Sequence, residues 1–351
     1  MIGWDDIYKV LAAMFPLYVA LILGYGSVKW WHMFNSDHCD AINRLSCYFI
    51  MPLFTFDFTT RINPYKMNHL FIAADIISKS IILLAIWLWA NFTNKGNYSW
   101  SITCFSLSSL NNTLVVGVPL MAAMYGPLGE NVVIQSSILQ FMLWIMILLL
   151  MLEIQRAKRP LDDSAVSSLE LATRCESANV EGVSRRSSLV ILIKIVGLKL
   201  AKNPNSYACV LGLLWALVSN RWNLEMPIIM AGSVQIMSRA GAGIAMFCMG
   251  LFMAMQEKMI DCTAKLAVFA MVLRFMMAPL SMAIGSFSVG LRGDVLHVAI
   301  IQAALPQAIG SFVLAKEYGL HANLLSTAVI FGTLISIPLL IAYYVVLNLL
   351  L

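Results

Sequence analysis

The chain has 351 residues, is 60% hydrophobic and only 12% charged, and carries a net charge of +5 with a mean hydropathy of +0.81. A soluble domain carries about 25% charged residues, so a water-soluble globular fold is excluded. The basic excess gathers in one interval and at the ends of apolar runs, which is the pattern of membrane orientation signals and not of a nucleic-acid surface.

Apolar runs of about 20 residues can cross a bilayer, and ten spans are expected, near 7–27, 39–58, 70–90, 100–125, 131–152, 205–218, 230–254, 265–289, 296–315 and 324–350. The first follows Asp5 and Asp6 without a basic leader, so it does not read as a cleavable signal. The second carries Asp57 close to its end. On the third, Asp75 and Lys79 lie four apart and share a helix face.

The fourth span is interrupted. Ser109-Leu110-Asn111-Asn112-Thr113 and then Gly117-Val118-Pro119 put amides and helix breakers in its middle. Such residues are costly at that depth unless the freed backbone lines a polar cavity. The fifth span adds Gln140. A polar interval then separates a first repeat (1–152), a linker (153–204) and a second repeat (205–351).

In the second half, the run Ala240-Gly241-Ala242-Gly243 permits close helix packing. Arg239 and Arg274 interrupt apolar runs and read as structural or snorkelling residues. The ninth span is interrupted like the fourth, at Ala304-Leu305-Pro306-Gln307 and Gly310-Ser311. Pro306 removes a backbone donor and prevents a continuous helix.

The halves match elsewhere too. Pro16-Leu17-Tyr18 reaches Gly24 as Pro204-Asn205-Ser206 reaches Gly212, and Met124-Tyr125-Gly126 is echoed by Glu317-Tyr318-Gly319. Five spans per half make the repeats inverted, and a matched pair of broken helices points to a transporter's substrate site. The half-helix after each break exposes unpaired N–H groups and the positive end of its dipole, which suits an anion. Asn111, Asn112, Thr113 and Gln307 add polar side chains there. Arg156, Lys158, Arg159, Arg174, Arg185, Arg186, Lys194, Lys199 and Lys202 place the linker in the cytosol and both termini on the opposite side. Arg185-Arg186-Ser187-Ser188 resembles a basophilic kinase target. No HExxH, GxSxG, P-loop or metal-spaced His/Cys cluster occurs, so neither an enzyme nor a bound cofactor or metal is expected.

Several stretches resemble the PIN auxin efflux carriers of plants. These are Met1-Ile2-Gly3-Trp4-Asp5-Asp6-Ile7-Tyr8, Ser46-Cys47-Tyr48-Phe49-Ile50-Met51-Pro52-Leu53, Asn112-Thr113-Leu114, Leu305-Pro306-Gln307-Ala308-Ile309 and Leu325-Ser326-Thr327-Ala328-Val329-Ile330-Phe331-Gly332. The short linker is similar to that of the short-loop subgroup, which resides mainly in the endoplasmic reticulum.

The resemblance implies an all-α fold of ten helices with crossing broken helices 4 and 9, as in bile-acid and sodium/proton antiporter-like proteins. It implies a homodimer in membrane lipid that moves indole-3-acetate by an elevator-type motion. Auxin would contact Asn112, Leu114, Ile309 and Gly310, with Met51 and Ile145 closing the pocket and Asp75, Lys79 and Gln140 as a polar support. The chain departs from the family pattern at Asn111, where proline is usual, at Ile145, where tyrosine is usual, and at Gly310, which replaces a larger aliphatic residue. A proton- or sodium-coupled carrier of another organic acid and a non-transporting auxin receptor are the alternatives.

Overall fold

A computed structural model describes residues 4–93, 97–158, 194–199, 201, 203–256 and 262–350. The expected kinase target at 185–188 and most of the linker lie outside the described residues. The fold is all-α and polytopic. Among the described residues, six helical stretches are long and apolar enough to cross a membrane.

The helices are α1 Trp4–Lys29, α2 Ser36–Leu45, α3 Met51–Thr60, α4 His69–Phe92, α5 Tyr98–Ser109, α6 Val118–Leu139, α7 Ile145–Lys158, α8 Pro204–Trp222, α9 Ile228–Met255, α10 Ala264–Val272, α11 Ala278–Ser288, α12 Asp294–Ala303, α13 Ile309–Glu317 and α14 Ala322–Leu350. Wide π-turns at Ser46–Ile50, Gln140–Trp144 and Leu273–Met277 join α2 to α3, α6 to α7 and α10 to α11. Such turns are frequent at functional positions, because one extra residue per turn re-aims the side chains. Here two of them carry Gln140 and Arg274.

Local chemistry explains the ends. Asn35, Asn63, Asn68, Asn97 and Asn203 accept backbone N–H bonds at helix starts through their side chains, as N-caps do. Gly126, at φ 60° and ψ −146°, breaks the apparent run of α6. The helix is therefore kinked there, and Pro127 begins a new rod that continues into α7. A side chain bearing Cβ is strained at that φ.

Two groups of helices pack together. In one, α1 lies along α9 and α8 along α3. Gly250 faces the Leu21 carbonyl and the Tyr25 amide, and Gly24 faces the Phe247 carbonyl, with no room for a Cβ on either side. The backbones of α1 and α9 touch there, as small residues allow in membrane bundles. Gly241 meets the Phe54 ring, so the small-residue run packs α9 onto α3 as its composition predicts. In the other group, α4 packs on α11. There Ser78 and Ser281 share a hydrogen bond of 3.1 Å. The largest core cluster joins both groups, and a second gathers Phe105, Trp144, Leu148, Leu152 and Val196.

Candidate functional site

Where α5 stops at Ser109 and α12 stops at Ala303, the chain leaves helical structure for a few residues before winding resumes, as a wide π-turn at Thr113–Gly117 and as α13 at Ile309. Asn111 and Gln307 lie opposite each other as an antiparallel pair. The residues beside them exchange backbone bonds. Asn112 N–H donates to the Pro306 carbonyl at 2.9 Å, and Ala308 N–H donates to the Leu110 carbonyl at 3.4 Å. Each break thus satisfies part of the other's backbone, which is the condition for leaving helical structure in an apolar setting.

Side chains complete the crossing. The Gln140 amide grips the Asn111 backbone from both sides: Asn111 N–H donates to its Oε1 at 3.1 Å, and its Nε2 donates to the Asn111 carbonyl at 2.8 Å. Gln307 Nε2 donates to the Ser106 carbonyl at 3.0 Å and to Ser311 Oγ at 2.7 Å. Asn111 Nδ2 donates to the Gln302 carbonyl at 2.6 Å, and Ser136 Oγ donates to Gln302 Oε1 at 2.8 Å.

Arg274 is 1% exposed. Its guanidinium donates to the carbonyls of Leu305 (2.6 Å), Ala303 (3.0 Å), Leu107 (3.2 Å) and Leu110 (3.4 Å). Those carbonyls terminate α5 and α12. One cation therefore sits at the negative dipole ends of both half-helices. Of the structural or snorkelling role expected for Arg274, its partners inside the crossing fit the structural one.

Beside it, Lys79 Nζ lies 2.8 Å from Asp75 Oδ1, and both side chains are buried. Trp144 Nε1 donates to Asp75 Oδ2 at 2.8 Å, and the Lys79 ammonium lies 5.0 Å from the centre of the Trp144 ring. Asp75 cancels Lys79, so Arg274 leaves the cluster one positive charge in excess. A cavity of about 10 Å³ separates these groups, lined in part by Asp75, Lys79, Ser109, Asn111, Arg274 and Gln302. That is room for about one water.

The second half-helices face the other way. Among the described residues, the N–H groups of Thr113, Leu114 and Val115, and of Ile309 and Gly310, find no acceptor in the protein. The Asn112 side chain is half-buried and makes no hydrogen bond either. A Cβ at Gly310 would meet nothing within 4 Å. So each break leaves a positive dipole end without an acceptor, with an uncommitted amide at the first and open space at the second.

The sequence-predicted residues divide accordingly. Leu114 belongs to the largest core cluster, and Met51 and Ile309 pack against it. Ile145 packs instead against the second cluster, with Trp144. Asn111, Thr113, Pro306 and Gln307 do stand at the breaks, but all are buried. The expected offer of the Asn111 and Gln307 amides to a ligand is not seen, since their NH₂ groups are bonded within the protein. Asp75 and Lys79 pair with each other, while Gln140 holds the Asn111 backbone. Arg274, Gln302, Ser136 and Trp144 were not expected to take part. A lone arginine in an apolar run was the one usable signal; the other three residue types occur throughout such helices.

Residues 9–344 match the family described as membrane transport protein. The chain belongs to that family. It resembles Auxin efflux carrier component 5 of Arabidopsis thaliana, with 56% identity over 351 residues covering 99% of both chains. Identity to Probable auxin efflux carrier component 5a of Oryza sativa subsp. japonica is 51% over 364 residues, again 99% of both. To Auxin efflux carrier component 8 of Arabidopsis thaliana it is 36% over 368 residues, 99% of this chain and 100% of the other. With near-complete coverage in alignments of only 351 to 368 residues, these relatives are of nearly the same length as this chain. Family membership makes the chain a membrane transporter and not an enzyme, and the expected kinship to short-loop auxin efflux carriers holds.

Proposed function

We propose that this protein carries the auxin anion indole-3-acetate across a membrane by elevator-type alternating access. The observation that carries the reading is the pair of half-helix N-termini at Thr113 and Ile309, whose N–H groups, like the Asn112 side chain, have no hydrogen-bond partner among the described residues. Such ends attract a carboxylate without a full positive charge nearby. Leu114, Met51 and Ile309 supply apolar surface for a flat ring, and the naming of the relatives as auxin efflux carriers supports the substrate class.

In this reading the ten rods form two inverted repeats, 1–152 and 205–351. The exchange symmetry supports it: the first rod packs on the seventh (α1 on α9) and the second on the sixth (α3 on α8). That group is the scaffold, and the crossing moves against it. The linker is cytosolic, the termini lumenal, the membrane that of the endoplasmic reticulum, and the protein a homodimer open to phosphorylation in its linker. Moving one charge across 100 mV supplies about 2.3 kcal/mol, so voltage alone can drive an anion.

Coupling to sodium or protons through Asp75 is the second reading. The Lys79 ammonium at 2.8 Å already occupies the place a coupling cation would take, and this favours uncoupled transport. Labelled indole-3-acetate flux in liposomes containing the purified protein tests both. Flux that follows an imposed voltage and ignores sodium and pH gradients is expected. Saturable binding without flux would make the protein a receptor.

A further inference from the structure

Away from the crossing, a cavity of about 320 Å³ opens between the end of α7 and the turn after α13. Leu152 and Leu320 form its apolar wall, and Gln155, Arg156, Lys316, Glu317 and Tyr318 its polar one. Most charge at its edge is internally settled. Lys199 Nζ lies 2.7 Å from Glu153 Oε1 and 3.4 Å from Glu317 Oε1, and it donates to the Tyr318 hydroxyl at 2.6 Å. Tyr318 in turn donates to Glu153 at 2.5 Å.

Three groups are not settled. Arg156 and Lys316 are exposed and, among the described residues, make no ion pair or hydrogen bond. Gln155 is 9% exposed; its Nε2 donates to Ser99 Oγ, but its buried Oε1 accepts nothing. A buried acceptor without a donor is costly, and ordinarily a bound partner explains it. A bare anion would answer the two cations and leave Gln155 orphaned. A molecule with an anionic group and a hydroxyl answers all three, and the volume exceeds what one phosphate needs.

We propose that this cavity binds a hydroxyl-bearing phosphate ester of the inositol phosphate class, with the phosphate on Arg156 and Lys316 and a ring hydroxyl donating to Gln155 Oε1. The two sources of that chemistry are a membrane lipid head group and a soluble ester. Glu317 borders the site, and Lys199 is shared between it and Glu153, so these three groups keep one negative charge and the site as a whole one positive charge from Arg156 and Lys316.

The full-length protein in phosphatidylcholine nanodiscs, with added phosphatidylinositol phosphate, phosphatidate or phosphatidylserine, tests this by native mass spectrometry of retained lipid. Retention of the inositol lipid should fall about tenfold for each cation removed in Arg156→Gln and Lys316→Gln. Gln155→Leu should weaken the inositol lipid and leave phosphatidate unchanged, because phosphatidate has no ring hydroxyl. Melting temperature and auxin flux should stay at wild-type values. In detergent, saturable binding of free inositol bisphosphate would assign a soluble source; its absence alongside lipid retention would assign the membrane. Equal retention of phosphatidylserine, or retention unmoved by all three variants, would overturn the proposal.

Discussion

Asn111 and Gln307, 196 positions apart in the chain, face each other as an antiparallel pair that closes both helix breaks at once. The two breaks are therefore one structural unit. Neither can straighten without stripping the other of its backbone partners, Pro306 O for Asn112 N–H and Leu110 O for Ala308 N–H.

Gln140→Leu tests that unit. It orphans the Asn111 N–H and carbonyl together, each buried. At about 1–3 kcal/mol per unsatisfied group, the melting temperature in detergent should fall clearly and flux with it. Ser137→Ala, one helical turn away, removes only a hydroxyl that donates to the Ile134 carbonyl. A variant at Gln140 as stable as the one at Ser137 would show that the amide grip is dispensable.

Arg274→Lys should behave nearly as badly as Arg274→Met. The guanidinium serves four carbonyls on two half-helices, and an ammonium cannot span that fork. Losing the match within a buried site costs about 3–5 kcal/mol. Thermal unfolding of both variants reads this out; full rescue by lysine would reduce Arg274 to a point charge.

The Asp75–Lys79 pair calls for a double-mutant cycle. Asp75→Asn or Lys79→Met alone leaves a buried charge without its partner, and a loss of about 3–5 kcal/mol is expected for either. The double variant should lose less than the sum. Additive losses would mean that the two groups do not stabilise each other, despite the 2.8 Å separation.

Asn112→Ala should keep the wild-type melting temperature, since among the described residues its side chain makes no hydrogen bond. Flux of indole-3-acetate should drop about tenfold or more, the loss of one hydrogen bond to a charged ligand. Unchanged flux would move the substrate site elsewhere.

Much of the frame was legible because membrane burial imposes strong rules on sequence. Long charge-free runs marked the helices. Asn111, Asn112, Pro306 and Gln307 marked the breaks, since amides and proline inside apolar runs are exceptions that require a reason. Asp75 and Lys79 were legible as a pair from their spacing of four. The partners of these groups were not. Gln302, Ser136 and Trp144 lie at ordinary helical positions, and nothing local distinguishes the tryptophan that donates to Asp75 from those that face lipid. Ile145 shows the same gap from the other direction. Its neighbour in sequence, Trp144, turns towards Asp75, and the wide turn at Gln140–Trp144 carries Ile145 into a different core from Leu114.

By itself, then, the sequence determined that the chain is a helical membrane protein with two interrupted segments, because water exclusion acts on every residue locally and leaves a periodic, one-dimensional trace. Only the tertiary structure decided that Asn111 meets Gln307, that Arg274 holds the carbonyl ends of both half-helices, and that the Asn111 and Gln307 amides face the protein while Asn112 remains free. Those outcomes depend on which donors and acceptors approach within hydrogen-bonding distance across nearly 200 residues of chain, a geometry that no local pattern encodes.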